Sequence, residues 1–340
     1  MIEKFKIDIP REKVSKIKEK VKNYPWNLIP NLPDWKHGTN LPYLKEICDY
    51  WIKDFNWSLY EKKINNFQNF KTHVDGINIH FIKEGGSGSN PKNLLLIHGW
   101  PGSVIEFIEI INRLAHPENY GGNKDDGVTV IAPSLPGFGF SGSSNEPYGP
   151  RKIAEILNKM MTINLKYKNY VAQGGDWGAT IANWLGYDHD KYCKAIHINC
   201  LTMRHPDGPQ TDKEKKWQSK FDKDQIMQDG YRTQQATKPQ TLSYAMMDSP
   251  VGIAAWIIEK MHGWSDLKDG NIESVYSKDV LLANIMTYLC TDTFSTSTWI
   301  YFGRREEGGR LFPKDFKKIN IPTGIAVFPK EMSEWPPRSY

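Results

Sequence analysis

At 340 residues, with 24% charged and 39% hydrophobic residues, the chain is too long for one minimal core and suits one large α/β domain with insertions. Its net charge of +5 is spread along the sequence, and short basic pairs such as Lys62-Lys63 and Lys317-Lys318 lack interleaved aromatics, which argues against a nucleic-acid surface. Four cysteines (Cys48, Cys193, Cys200, Cys290) stand far apart without a CxxC pair, as buried thiols in a reduced compartment would. Met1-Ile2-Glu3-Lys4-Phe5-Lys6 lacks the apolar core of a signal peptide, and runs such as Leu94-Leu95-Leu96-Ile97 are far too short to cross a bilayer. A soluble, cytoplasmic protein with no membrane partner is expected. Twelve tryptophans and sixteen tyrosines suit either an aromatic-lined cavity or packing alone.

In chain order, Pro10 can open a helix whose Val14, Ile17 and Val21 share one face, and Leu44, Ile47, Cys48 and Trp51 make a second such stripe. Loops rich in Pro, Asn and Trp surround them, so residues 1–90 read as a helical N-terminal segment without a sheet of its own. Gly85-Gly86-Ser87-Gly88-Ser89 is a turn or flexible loop. Ile77–Ile82 alternates like a half-buried strand. Leu94–Ile97, Val128–Ile131, Tyr170–Ala172 and Ala195–Ile198 are continuous apolar runs, as in parallel strands covered on both faces. Their alternation with helical patterns implies a doubly wound α/β sheet, its core starting at 91–200. Over 201–315 helical patterns such as Val251–Met261 and Val280–Leu289 replace the strands, and Thr323–Phe328 within 316–340 resumes the sheet. A helical insertion between strands of an open sheet reads as a cap over the active-site face.

The most informative stretch is Tyr170-Val171-Ala172-Gln173-Gly174-Gly175-Asp176-Trp177-Gly178-Ala179-Thr180, an apolar strand running through Gly-x-Asp-x-Gly into a helix. Such a turn strains its central residue and thrusts that side chain out at the helix N-terminus; Gly174 and Gly178 leave room for the crossing. A serine attacking a saturated carbon would leave an inert ether, whereas a carboxylate leaves an ester that water can cleave. Asp176 therefore points to displacement at saturated carbon. A helix-capping aspartate in a Gly-rich turn is the plain alternative.

Upstream, Leu94–Ile97 feeds His98-Gly99-Trp100-Pro101-Gly102-Ser103. In an elbow-type hydrolase the loop after this strand gives one oxyanion N–H and the residue after the nucleophile gives the other, here Trp100 and Trp177, at about 3–4 kcal/mol each. His98 reads as a structural brace of that loop, together with Gly99 and Pro101. The two motifs together resemble the microsomal-type epoxide hydrolases, and the resemblance runs along the chain. Trp51 to Trp57, Asn65-Asn66-Phe67 and His73-Val74-Asp75-Gly76-Ile77-Asn78-Ile79-His80-Phe81 look like that family's N-terminal segment. Asp248-Ser249-Pro250-Val251-Gly252-Ile253-Ala254-Ala255 looks like its cap, and Ile321-Pro322-Thr323-Gly324 like its returning strand.

The resemblance implies an α/β-hydrolase fold and a small-molecule epoxide substrate, hydrophobic by the Trp and Met residues of the cap. It implies no cofactor and no metal, and a homodimer is possible. It further implies that Tyr231 and Tyr301 donate protons to the epoxide oxygen. Glu331, after Ile325-Ala326-Val327-Phe328-Pro329-Lys330, resembles the acid of the relay, with Glu334 as competitor. The histidine base should follow the acid, yet all nine histidines lie at or before His262, which reads as a helix-end residue of the cap. A Gly-Gly-His segment would be expected past residue 340, so a C-terminally incomplete sequence is expected, one that is alkylated at Asp176 without releasing diol and that aggregates through an exposed sheet edge. The rival readings are a haloalkane dehalogenase, for which Asp176-Trp177 would supply a halide-binding indole, and a non-catalytic binding protein on a hydrolase scaffold.

Overall fold

The computed structural model describes residues 1–332 and 334–340. In chain order the first elements are β1 (Ile2–Lys4), α1 (Arg11–Lys22), α2 (Leu41–Lys53), α3 (Trp57–Asn65), β2 (Gln68–Val74) and β3 (Ile77–Glu84). The core follows with β4 (Asn93–Ile97), α4 (Ile108–Ala115), β5 (Thr129–Pro133), α5 (Pro150–Lys159), β6 (Tyr170–Gly174), α6 (Trp177–Asp188) and β7 (Cys193–Ile198). A helical insert then runs through α7 (Asp212–Gln225), α8 (Gly230–Thr237), α9 (Pro239–Met246), α10 (Pro250–Gly263), α11 (Lys278–Thr291), α12 (Phe294–Ser297) and α13 (Trp299–Glu306), before β8 (Thr323–Ile325).

The eight strands form one sheet in the order β1-β2-β3-β5-β4-β6-β7-β8. The pairs from β5 through β8 are parallel and the three at the N-terminal edge are antiparallel. All five residues of β5 are buried, as expected of a parallel strand with helices on both faces. This is the α/β-hydrolase arrangement, with the helical insert between β7 and β8.

The first helices form where the apolar stripes place them. Pro10 precedes α1, which buries Ile17 and Val21, while the Asn40 side chain caps α2 and its Leu44, Ile47, Cys48 and Trp51 are buried. The N-terminal segment is not purely helical, however, because β1 and β2 extend the common sheet. The physical reason is a hairpin: Asp75 and Gly76, with φ of 47° and 85°, make the two-residue turn that matches strand twist, and β2 pairs in register from Gln68↔Lys83 to Val74↔Ile77. The polar β2 residues on the outer face hide the apolar alternation.

The returning strand is shorter than Thr323–Phe328. It ends at Ile325, and Val327 and Phe328 are more than half exposed, since this edge strand has β7 alone as a partner among the described residues.

Several contacts tie the N-terminal segment to the insert, among them the following. Trp35 stacks on His262 at 3.7 Å, Thr39 Oγ1 donates to the Ala255 carbonyl at 2.6 Å, and Lys20 pairs with Asp248 at 2.5 Å. Among the described residues no helix is long and apolar enough to cross a membrane.

Candidate active site

The site begins where β6 stops at Gly174 and α6 starts at Trp177. Asp176 between them has φ 49° and ψ −121°, a conformation that non-glycine residues adopt at a cost and that persists when its surroundings enforce it. Two backbone approaches do so. A Cβ on Gly174 would lie 2.2 Å from the Gly178 carbonyl carbon, and one on Gly178 would lie 1.9 Å from the Ile97 oxygen of β4. Gly178→Ala is therefore expected to lower stability by at least about 1–3 kcal/mol, read as an earlier midpoint in chemical denaturation. A midpoint equal to wild type would show that the elbow does not need this close crossing.

The turn aims the Asp176 carboxylate at the loop after β4. Its Oδ1 accepts the Trp100 N–H at 2.8 Å, and a side chain at Gly99 would strike it. The carboxylate is enclosed by protein yet keeps solvent-accessible surface. Enclosure pushes its pKa up to about 6, opposed by the Trp100 and Trp177 N–H groups and then by the charges of Arg304 and Arg310. At neutral pH the ionised form predominates.

The loop itself is held from two sides. His98 is buried, its Nε2 accepts from the Leu135 N–H at 3.1 Å, and Nδ1 donates to the Gly99 carbonyl at 3.0 Å. Burial pushes this imidazole down to about 4, so it is neutral and both nitrogens are occupied. From the insert, Asn284 Nδ2 donates to the Pro101 carbonyl at 2.7 Å and Tyr288 Oη to that of Gly102 at 2.5 Å. The Trp100–Pro101 peptide is cis.

Two tyrosines of the insert close over Asp176. Tyr231, in the first turn of α8, stacks on Trp100 at 5.4 Å, and Tyr301, in α13, meets Trp177 edge-on at 4.7 Å. The two phenol rings are 5.7 Å apart. Both phenols are pushed up, first by burial, so they stay protonated well past neutral pH. The Tyr301 hydroxyl is buried without a hydrogen-bond partner. Orphaned hydroxyls are costly, and one in the same cavity as a carboxylate is what a site awaiting an acceptor looks like.

Asp176, Tyr231, Tyr301 and Glu331 line one cavity of about 110 Å³. Glu331 accepts the adjacent Met332 N–H, and Glu334 lines the same cavity, so geometry does not separate the two carboxylates. No histidine lines it among the described residues. His262, in the last turn of α10, bonds the Gly270 carbonyl instead. No group of metal-ligating side chains is found among the described residues.

Sequence reasoning missed two features of the site. Four arginines (Arg204, Arg232, Arg304, Arg310) share the cavity wall, though they come from separate parts of the insert. Glu106 lies against Gly102, behind the loop, its carboxyl pushed up to about 8 by enclosure and then by the charge of Asp176. No local motif marks either; their meeting is purely tertiary.

With this geometry in place, the comparisons are specific. The family model described as "Epoxide hydrolase N terminus" matches residues 2–107, and the one for the alpha/beta hydrolase fold matches residues 92–246. A putative epoxide hydrolase of Stigmatella aurantiaca is 38% identical over 98% of this chain and 75% of its own length. Epoxide hydrolase 1 of Sus scrofa is 34% identical over 98% of this chain and 80% of its own. Among solved structures, juvenile hormone epoxide hydrolase of Bombyx mori superposes with a TM-score of 0.80 at 30% identity, over 99% of this chain and 83% of that one. The Aspergillus niger epoxide hydrolase gives 0.83 at 26%, over 100% and 86%. Neither the dehalogenase nor the non-catalytic reading is favoured by these relatives. A strand-helix elbow carrying aspartate, and likeness along nearly the whole chain, place this protein in the epoxide hydrolase family on the α/β-hydrolase fold.

Proposed function

We propose that Asp176 opens a hydrophobic epoxide by direct displacement. One carboxylate oxygen forms a bond to a ring carbon, that carbon's bond to the epoxide oxygen breaks, and the oxygen takes a proton from Tyr301 or Tyr231. The product is a hydroxyalkyl ester on Asp176. In the second half-reaction water adds to the ester's carboxyl carbon, and the oxyanion that forms there is stabilised by the Trp100 and Trp177 N–H groups. Collapse breaks the carboxyl carbon's bond to the alkyl oxygen, which takes one of the water's protons and leaves as the vicinal diol, while the other proton restores the phenol and Asp176 returns as the carboxylate. Glu331, which lines the same cavity, is assigned the acid of the relay.

The observation carrying this reading is the buried, unpartnered Tyr301 hydroxyl lining one cavity with Asp176. An epoxide oxygen supplies the missing acceptor and places a ring carbon before the nucleophile. Treatment with styrene oxide followed by peptide mapping is expected to find the adduct on the peptide holding Asp176. An adduct confined to cysteine or lysine would overturn the assignment.

The pH dependence follows from the site. Asp176 attacks when ionised, and its pKa is raised to about 6, so the alkylation rate should climb through that pH and flatten above it. Because the phenols are shifted upward, no falling limb is expected below pH 9. Initial adduct rates across a buffer series measure this; a profile with its midpoint near the ordinary aspartate value of 3.8 would show an unperturbed carboxylate.

A further inference from the structure

We propose that the active-site cavity contains an anion-binding subsite formed by Arg204, Arg232 and Arg310, and that the epoxides this enzyme prefers carry a carboxylate at their far end. The identification of that substrate class rests on the reading of Asp176 as nucleophile. A second cavity of about 490 Å³ lies beyond the first, and both are lined by Arg204, Phe221, Gln225, Asp229, Arg232 and Arg310. These six residues are the partition between the two spaces.

The chain holds the guanidinium groups together deliberately. The Arg204 N–H donates to the Arg310 carbonyl at 2.8 Å, and the Phe312 N–H returns to the Arg204 carbonyl at 3.1 Å. Arg204 lies 5.0 Å from the Trp217 ring centroid and Arg310 lies 5.4 Å from that of Phe221. Arg232 pairs with Asp229. No carboxylate among the described residues pairs with Arg204 or Arg310, although Glu331 and Glu334 line the catalytic cavity. Arg204 is 8% exposed, and the Nε groups of Arg232 and Arg310 are buried with no acceptor.

Arg204 Nη1 donates to the Leu201 and Met203 carbonyls, and Asp222 lines the second cavity beside Asp229. Three guanidinium groups thus meet two carboxylates, and the Nε groups of Arg232 and Arg310 still lack acceptors. Burial and then the neighbouring Arg310 push Arg204 down to about 10, the signature of cations held together without enough countercharge. A carboxylate has the planar, two-oxygen shape that a guanidinium fork matches. It must bind away from Asp176, which would repel it. An elongated ligand meets both demands, with its alkyl chain along Trp217, Phe221 and Met332.

The test uses terminal epoxyalkanoates of graded chain length against their methyl esters, with adduct formation on the whole chain read by intact mass. At the length that spans the cavity, the acid should half-saturate at about tenfold lower concentration than the ester. The advantage should vanish in Arg310→Gln. Equal half-saturation of acid and ester at every length would overturn the proposal, with no variant needed. Calorimetry with decanoate against decanamide reads the subsite without any reaction. Tighter binding of decanoate, weakened in Arg310→Gln, supports it even if no epoxide alkylates Asp176, a result that would sink the nucleophile reading alone. Equal binding of the two, with Asp176 alkylated, would sink the subsite alone.

Discussion

Mixed with excess styrene oxide, the protein is expected to gain one adduct per chain in a burst that precedes diol release. The two half-reactions make different demands on the site. Ring opening needs an ionised carboxylate and a proton donor, and both line the cavity. Ester cleavage needs water deprotonated as it attacks, which a general base accelerates by about 10²–10⁴-fold. No histidine faces the cavity among the described residues, and His98 has both ring nitrogens engaged. Adduct formation should therefore outrun diol release, and the burst should equal the enzyme concentration. Asp176→Asn should remove the adduct altogether, slowing ring opening by at least about 10⁴-fold. Steady, catalytic diol production without an adduct would mean that another group activates water directly on the epoxide.

The second large effect lies with the phenols. Tyr301→Phe is expected to slow ring opening by about 10²–10³-fold, and the double change with Tyr231→Phe by about 10⁴-fold, because the alkoxide then leaves without its proton. The effect on folding should be opposite in sign. The Tyr301 hydroxyl is a buried orphan, so deleting it should hold stability or raise it by up to about 1 kcal/mol. Alkylation kinetics and denaturation on the same samples check both halves. A Tyr301→Phe protein that alkylates at the wild-type rate would return this side chain to a packing role.

Much of this molecule is written locally. The continuous apolar runs of β4, β5, β6 and β7 are strands because the helices on both faces leave no polar side to alternate with. The elbow was legible for a different reason: glycine at 174 and 178 is a steric necessity, and a carboxylate between them has few structural uses. β3 shows its alternation over Ile77–Ile82, but β1 and β2 are not legible, because β2 carries Gln68, Asn69, Lys71, Thr72 and His73, and a polar hairpin arm resembles a loop until its partner is known. The Asp75-Gly76 turn was the available signal. Arg204 and Arg310 lie a hundred residues apart and meet through backbone hydrogen bonds, which no spacing rule encodes. Glu106 sits in a helical turn and reads as a surface residue; its proximity to Asp176 is decided by how the loop after β4 folds back.

The stacked pair Trp35–His262, the Thr39–Ala255 bond and the Lys20–Asp248 ion pair bear on traffic as well as architecture. They are among the contacts that fasten the helical roof over Asp176 to the N-terminal segment. Opening this roof for substrate would break these contacts together with the others that join it to the N-terminal segment, such as Tyr50–Asp279 and Lys278–Glu46, so entry to the cavity is coupled to the grip of that segment on the insert.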